Sequence, residues 1–291
     1  MLDRLFTLRQ SLKEFGERYR IIIFSLALIG FIIGLGLAGK SLNLSPDNIV
    51  FLPLVFILCV TQPLLILLNS LELKLCGQAV RVKLSLAESV FVSSSATIAN
   101  ILPLPAGLIV RGSALTQRGA ALGQVSKVLF AAALMWVAIA LTVSGAVILQ
   151  GGGAVIFIAG GLIFTIALMG YINRMSDLRT AIGFFVVRSL MVALLAVQLK
   201  LCFAALDSAI TLRGASVYVV SGIAGAVVSI IPAGLGVTEA FGTLLAKLDG
   251  ASSALAFVVL SLNRFIGLTL ATASVMTFGL FKRSEHKPSV P

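Results

Sequence analysis

Long apolar runs, separated by short polar segments, dominate this sequence of 291 residues. About 17–25 helical residues cross the hydrocarbon core of a bilayer, because an α-helix rises about 1.5 Å per residue. Two apolar runs are longer and carry charged residues: Ala181–Leu206 contains Arg188 and Lys200, and Ala251–Phe281 contains Arg264. Four shorter runs contain no charged residue: Ile21–Gly39, Ile49–Leu68, Val128–Leu149 and Ala154–Tyr171. The pattern predicts an all-α membrane protein with about six full crossings.

Two further apolar segments end at a proline and share a motif. Leu84–Leu104 is followed by the sequence PAGLIVR, which begins at Pro105, and Gly214–Ile231 is followed by PAGLGVT, which begins at Pro232. Scattered identities between the two segments continue on both sides of the motif at the same offset of 127 residues. We interpret this pattern as an internal duplication, with repeat halves at about 84–150 and 211–281. Many transporter folds are built from internal repeats of this kind.

The distribution of basic residues favours a topology in which both segments turn back. If each forms a re-entrant helical hairpin and the N-terminus is inside, only Lys40, Arg213 and Lys247 of the loop residues fall outside. If all eight segments cross once, several further arginines and lysines lie outside, which conflicts with the positive-inside rule. The hairpin topology also makes the duplication an inverted repeat, because three crossings separate the two copies. Fifteen basic residues then lie on the cytoplasmic side: Arg4, Arg9, Lys13, Arg18, Arg20, Lys74, Arg81, Lys83, Arg118, Lys127, Arg174, Arg179, Lys282, Arg283 and Lys287.

This topology gives one membrane domain, residues 21–281, with both termini in the cytoplasm. Residues 1–20 alternate apolar and basic positions as a basic amphipathic helix does, although an ordinary cytoplasmic flank is an equal alternative. Residues 282–291 form a cytoplasmic tail. We expect a multi-pass protein of the plasma (inner) membrane.

Composition supports a membrane protein and excludes several other classes. The chain is 59% hydrophobic and only 11% charged, whereas soluble domains are about 25% charged. The net charge of +11 comes from residues that flank apolar runs, so it does not indicate nucleic-acid binding. Three scattered cysteines and a single histidine, His286, give neither a disulfide framework nor a metal site. We expect no metal and no cofactor.

The two proline-glycine tips are candidate anion sites. Proline ends a helix but suits the first position of a new one, so Pro105 and Pro232 mark tips or hinges. Gly107, Gly234 and Gly236 leave room for another group to approach the backbone. A helix that begins there offers free N–H groups to an anion, as the broken helices of transporters do. The alternative is a packing kink sealed by neighbouring helices.

Ionisable residues near the tips are the candidate ligands. An ionised side chain at bilayer depth is costly, so it normally faces a cavity or a partner. Arg111 and Arg264 suit a phosphate because guanidinium is a bidentate donor, whereas Arg188 and Lys200 are placed to snorkel to the interfaces. Glu239 could relay a proton, pair with a cationic headgroup, or simply hold an arginine in a structural ion pair. Glu72 and Glu88 are placed near interfaces. The candidate substrate-binding residues are Asn100, Gly107, Arg111, Arg188, Gly234, Gly236, Thr238, Glu239, Asn263 and Arg264.

The motifs NILPLPAGLIVR and IIPAGLGVTEAFGTL, followed by Arg264, resemble those of the lysylphosphatidylglycerol synthase transmembrane-region family. The resemblance spans about residues 69–281 and rests on the matching positions Asn100, Pro103, Gly107, Arg111, Pro232, Gly234, Gly236, Glu239 and Arg264. The family often has a glutamate directly after the first of these glycines, where this chain has Leu108. The resemblance implies lipid translocation or handling of a lipid-linked intermediate, without the aminoacyl-transferase domain of the two-part synthase.

Three hypotheses follow for function. The first is a flippase or transporter for a lipid with an anionic, phosphate-bearing headgroup, driven downhill or by a proton or another ion. The second is an intramembrane enzyme, or an accessory subunit, in polyprenyl-phosphate or envelope-lipid metabolism; the sequence has no recognisable catalytic motif. The third is a structural membrane protein. A homodimer or a partner enzyme is compatible with each hypothesis.

Overall fold

The computed structural model describes residues 25, 28–42, 49–101, 106–148, 152–222 and 236–285. Of these residues 87% are helical and none is in a strand. The predicted helix over residues 1–20, the tip residues Pro105, Pro232 and Gly234, and the last six residues lie outside the described part of the chain. The all-α prediction is confirmed for the part that is described.

Ten helices form the described part of the chain. They are α1 (Leu28–Ser41), α2 (Phe51–Ala79), α3 (Leu86–Ala99), α4 (Ala106–Thr116), α5 (Leu122–Val147), α6 (Gly152–Met175), α7 (Leu178–Ala205), α8 (Leu212–Val219), α9 (Val237–Asp249) and α10 (Ser253–Glu285).

Five of these helices are long and apolar enough to cross a membrane: α2, α5, α6, α7 and α10. They correspond to five of the six predicted crossings. The first predicted crossing, Ile21–Gly39, is described only in part, by the continuous helix Leu28–Ser41. Helix α2 continues well beyond the predicted end at Leu68, to Ala79.

Apolar side chains cover the outside of the bundle as well as its core. On α6, Ile156, Ile163 and Ile166 are each about 70% exposed (71%, 68% and 68%). Inside, Met135 of α5 and Phe184 of α7 are completely buried. A surface of this kind is what a lipid-facing helix presents, because hydrocarbon imposes no penalty on exposed isoleucine.

Helices α3 and α4 fold back on each other as a hairpin. At its open end, Arg118 pairs with Glu88 in the first turn of α3 and donates to the Lys83 carbonyl at 3.1 Å. Ser85 and Glu88 form a capping box, in which the Glu88 N–H donates to the Ser85 hydroxyl at 3.2 Å and fixes the start of α3. Helices of 14 and 11 residues are about 21 and 17 Å long, too short to cross about 30 Å of hydrocarbon.

The second pair of short helices, α8 and α9, starts at the opposite end of the bundle. Helix α5 leaves the open end of the first hairpin at Leu122 and runs 26 residues, about 39 Å, to Val147. There Arg213, at the start of α8, donates to the Val147 carbonyl at 3.4 Å. The two short-helix pairs therefore begin at opposite ends of one long helix.

Candidate functional site

A cavity of about 840 Å³ is bordered by α3 and α4 of the first short-helix pair and by α9 of the second. Asn100 and Ile101, at the end of α3, border it, as do Thr238 and Glu239, at the start of α9. Helices α2, α5, α7 and α10 supply most of the remaining wall. The polar lining residues are Gln62, Asn69, Ser93, Ser94, Thr97, Asn100, Gln198, Thr238, Glu239, Ser261, Asn263 and Arg264. Inside an apolar bundle, such a lining suits water or the polar headgroup of a ligand.

The start of α9 holds a buried carboxylate against an arginine of α10. Gly236 has a φ of 79°, in the left-handed region that glycine adopts readily, and its N–H donates to Glu239 Oε2 at 2.9 Å. Arg264 Nε lies 2.9 Å from Glu239 Oε1, and Arg264 Nη2 donates to Oε2 at 3.3 Å. The Glu239 side chain is 0% exposed. The helix N-terminus and the guanidinium both compensate its charge.

The first tip is closed by an asparagine. The Asn100 side-chain oxygen accepts a hydrogen bond from the Gly107 N–H at 3.0 Å, across the turn between α3 and α4. A Cβ atom on Gly107 would lie 2.3 Å from that oxygen and 2.8 Å from the Ala96 carbonyl oxygen. Glycine is therefore required here for close approach. Asn100 thus both accepts the Gly107 N–H and lines the cavity.

A second buried carboxylate, Glu72 of α2, is shared by two arginines. Arg188 of α7 contacts Glu72 Oε1, and Arg111 Nη1 of α4 lies 3.8 Å from Glu72 Oε2. The Glu72 side chain is 1% exposed, so it is buried inside the protein. Arg188 also does not snorkel, since its side chain is only 12% exposed and lies against Glu72, whereas Lys200 is exposed.

A network of amides joins α2, α7 and α10 at the cavity wall. Gln198 Nε2 donates to Gln62 Oε1 and to Asn263 Oδ1, each at 2.7 Å, and Thr61 donates to Gln198 Oε1 at 2.9 Å. Residues Ile57–Thr61 form a π-helical turn just before Pro63, which cannot donate to a preceding carbonyl. Thr61 and Gln62 are both buried next to this widened turn. The sequence analysis did not predict this network, although Gln62 and Gln198 are amide side chains within long apolar runs, which is the pattern that could have indicated it.

The predicted site residues separate into groups. Five of them line the cavity: Asn100, Thr238, Glu239, Asn263 and Arg264. Gly107 and Gly236 shape the adjoining turns. Arg111 and Arg188 contact Glu72 whereas Arg264 contacts Glu239, so Arg111 and Arg264 belong to two separate groups of charges. Among the described residues, no group of three His, Cys, Asp or Glu side chains is arranged to hold a metal ion.

Comparison with known proteins adds no family assignment. No family model matches the sequence, and no curated protein matches it at a significant level.

Proposed function

We propose that this protein moves a lipid with a phosphate-bearing headgroup across the inner membrane, as a flippase or transporter. The headgroup occupies the cavity while the hydrocarbon tails stay in the bilayer. The observation that carries this proposal is a cavity of about 840 Å³ whose mostly apolar wall carries a set of polar side chains, and which α3, α4 and α9 of the two short-helix pairs border.

The chemistry of the cavity wall supports a polar headgroup. Hydrocarbon offers no hydrogen-bonding partner, so a headgroup half-way across a bilayer needs donors and acceptors from the protein. Asn263 and Gln198 present amides, Ser261 and Thr97 present hydroxyl groups, and Arg264 presents a guanidinium. In this proposal Arg264 meets the phosphate, and Arg111 strengthens the positive potential from behind the wall.

The arrangement of the short helices supports alternating access. We propose that α3–α4 and α8–α9 are re-entrant hairpins of an inverted repeat, which enter from the cytoplasmic and outer sides respectively. Rocking of one half against the other then opens the cavity first to one leaflet and then to the other. The basic residues Arg118 and Arg174 would lie on the cytoplasmic side, with both termini.

Glu239 is the proposed proton carrier if transport is ion-coupled. It is completely buried, borders the cavity and forms its ion pair with a residue that the headgroup phosphate would also contact. The phosphate would compete with the Glu239 carboxylate for the Arg264 guanidinium. A proton on Glu239 would release Arg264 for the phosphate, so lipid and proton would move together in the same direction.

A proteoliposome assay tests the proposal. Wild-type protein should move lipids with labelled phosphate-bearing headgroups between leaflets, whereas Arg264→Ala and Glu239→Gln should slow this at least about tenfold, the effect of losing one charge-assisted contact. Lys200→Gln is the matched control, because it removes an exposed charge from α7 and should keep the wild-type rate. Wild-type rates in both cavity variants would remove these residues from the mechanism. No movement of any phosphate-bearing lipid by wild-type protein would contradict the function itself.

A further inference from the structure

The Glu72 cluster carries an unequal number of charges. One carboxylate, 1% exposed, faces two guanidinium groups, from Arg111 and Arg188. The pair at the other side of the cavity, Glu239 and Arg264, is matched one to one. The cluster of Glu72, Arg111 and Arg188 therefore has a formal charge of +1.

Both arginines of this cluster touch residues of the cavity wall. Arg111 Nη2 donates to Asn69 Oδ1 at 3.3 Å, and the guanidinium carbon of Arg188 lies 5.8 Å from the ring centroid of Trp136. Asn69 and Trp136 both line the cavity. A headgroup held at this part of the wall is thus one side chain away from both cations.

The cluster also has unused hydrogen-bonding capacity. Arg188 Nε is buried and has no hydrogen-bond partner among the described residues, and Glu72 Oε2 accepts no hydrogen bond there. Arg111 reaches Oε2 only at 3.8 Å, an ion-pair distance rather than a hydrogen bond. A cluster that served only to join α2, α4 and α7 would be expected to satisfy these atoms.

We propose that Glu72 sets the charge of the headgroup site, so that the cavity selects lipids whose headgroup carries one negative charge. This inference rests on the proposed function and names its substrate class, phosphodiester lipids with no cationic group. A phosphomonoester carries about −1.5 to −2 near pH 7 and would exceed the +1 of the cluster. A zwitterionic headgroup would leave that +1 uncompensated. In a low-dielectric site, either mismatch of one unit charge lowers affinity by about tenfold or more.

Trp136 provides a direct readout of binding. It is the only tryptophan of the chain, it lines the cavity and it lies against Arg188. Its fluorescence can be followed while purified protein in a neutral detergent is titrated with short-chain phosphatidylglycerol, phosphatidic acid or phosphatidylcholine. Wild-type protein should bind phosphatidylglycerol about tenfold or more tightly than either of the other lipids.

Three variants change the cluster charge in steps. Glu72→Gln raises it to +2 and should move the preference to phosphatidic acid. Arg111→Gln lowers it to zero, keeps the Glu72–Arg188 pair, and should bind phosphatidylcholine more tightly than phosphatidylglycerol. The double variant Glu72→Gln/Arg188→Gln returns the charge to +1 and should recover the wild-type preference.

The design remains decisive if Glu72→Gln alone fails to fold. Arg111→Gln and the double variant each retain a charge-balanced or singly charged cluster, and a structural role alone predicts no change of lipid preference in either. A preference for phosphatidylglycerol that persists in Arg111→Gln would overturn the proposal, as would its loss in the double variant. Charge-dependent binding without movement in proteoliposomes would uphold the selectivity and remove the transport function. Movement of lipids at rates that do not depend on headgroup charge would uphold the transport function and overturn the proposed selectivity.

Discussion

Replacing Arg264 by glutamine leaves the Glu239 carboxylate without its cationic partner in a site where its side chain is 0% exposed. At the observed distance of 2.9 Å, an effective dielectric constant near 20 gives an attraction of about 6 kcal/mol before desolvation is subtracted. Breaking one partner of a buried pair typically costs about 3–5 kcal/mol. We therefore expect Arg264→Gln to lose about 3–5 kcal/mol of the apparent free energy of unfolding.

The double variant Glu239→Gln/Arg264→Gln should recover most of that loss. It buries no charge, and the glutamine oxygen at position 239 can still accept the Gly236 N–H, which now donates at 2.9 Å. Replacing both members of a buried pair is often close to neutral, so the double variant should fall within about 1–2 kcal/mol of wild type. Together with Glu239→Gln, the two variants complete a double-mutant cycle.

Denaturant titration in detergent micelles, followed by far-ultraviolet circular dichroism, measures the three variants. The reasoning is refuted if Arg264→Gln stays within about 1 kcal/mol of wild type, or if the double variant is as unstable as the single one, since a buried pair requires a large coupling energy. A stable double variant that no longer moves lipid would further show that the pair acts in transport as well as in folding.

Two other predictions follow from single contacts. Gly107→Ala should lower the free energy of unfolding by about 1–3 kcal/mol, and with it the melting temperature, because the added Cβ would lie 2.3 Å from Asn100 Oδ1. In Gly112→Ala the nearest neighbour of the added Cβ would be 3.7 Å away, so the melting temperature should stay unchanged or rise. The Asp177 carboxylate caps α7 by accepting the Thr180 N–H at 2.7 Å, and this bond lowers the pKa of Asp177. Its stabilisation should be complete well above pH 4, the range of an ordinary aspartate, and lost as pH falls through the lowered pKa. The melting-temperature difference between wild type and Asp177→Ala should therefore close in acid, whereas Asp177→Asn should keep a pH-independent cap.

The helices could be predicted from the sequence because hydrocarbon imposes a simple rule. A span must be apolar and must satisfy its own backbone hydrogen bonds, so apolar runs, with few or no charged residues, locate the long helices to within a few residues at many of their ends. Helix α2 is the exception: the charge-free run ends at Leu68, but the helix continues to Ala79. That continuation makes Glu72 part of the helix, two turns before its end, with its side chain 1% exposed.

The pairing of charges was less predictable. The proline-glycine motif marked the break after α3, and the hydrogen bond between Asn100 and Gly107 is local, because the two residues are only seven positions apart. The partner of Glu72 could not be read in this way, since Arg188 is 116 residues away and only the packing of α2 on α7 brings the two together. The sequence suggested Arg111 as a phosphate ligand on chemical grounds, but its position behind Asn69 depends on the tertiary structure.

The most direct test of the account is the sidedness of the two hairpins. Gln117, at the open end of the first hairpin, and Lys247, near the end of α9, are both exposed, so each can be replaced by cysteine in a variant whose Cys59, Cys76 and Cys202 are removed. A membrane-impermeant maleimide is then applied to intact spheroplasts and to inside-out vesicles. The account predicts that position 117 reacts only from the cytoplasmic side and position 247 only from the outer side. Reaction of both positions from one common side would contradict the inverted arrangement and, with it, the cavity between opposed hairpins as a transport site.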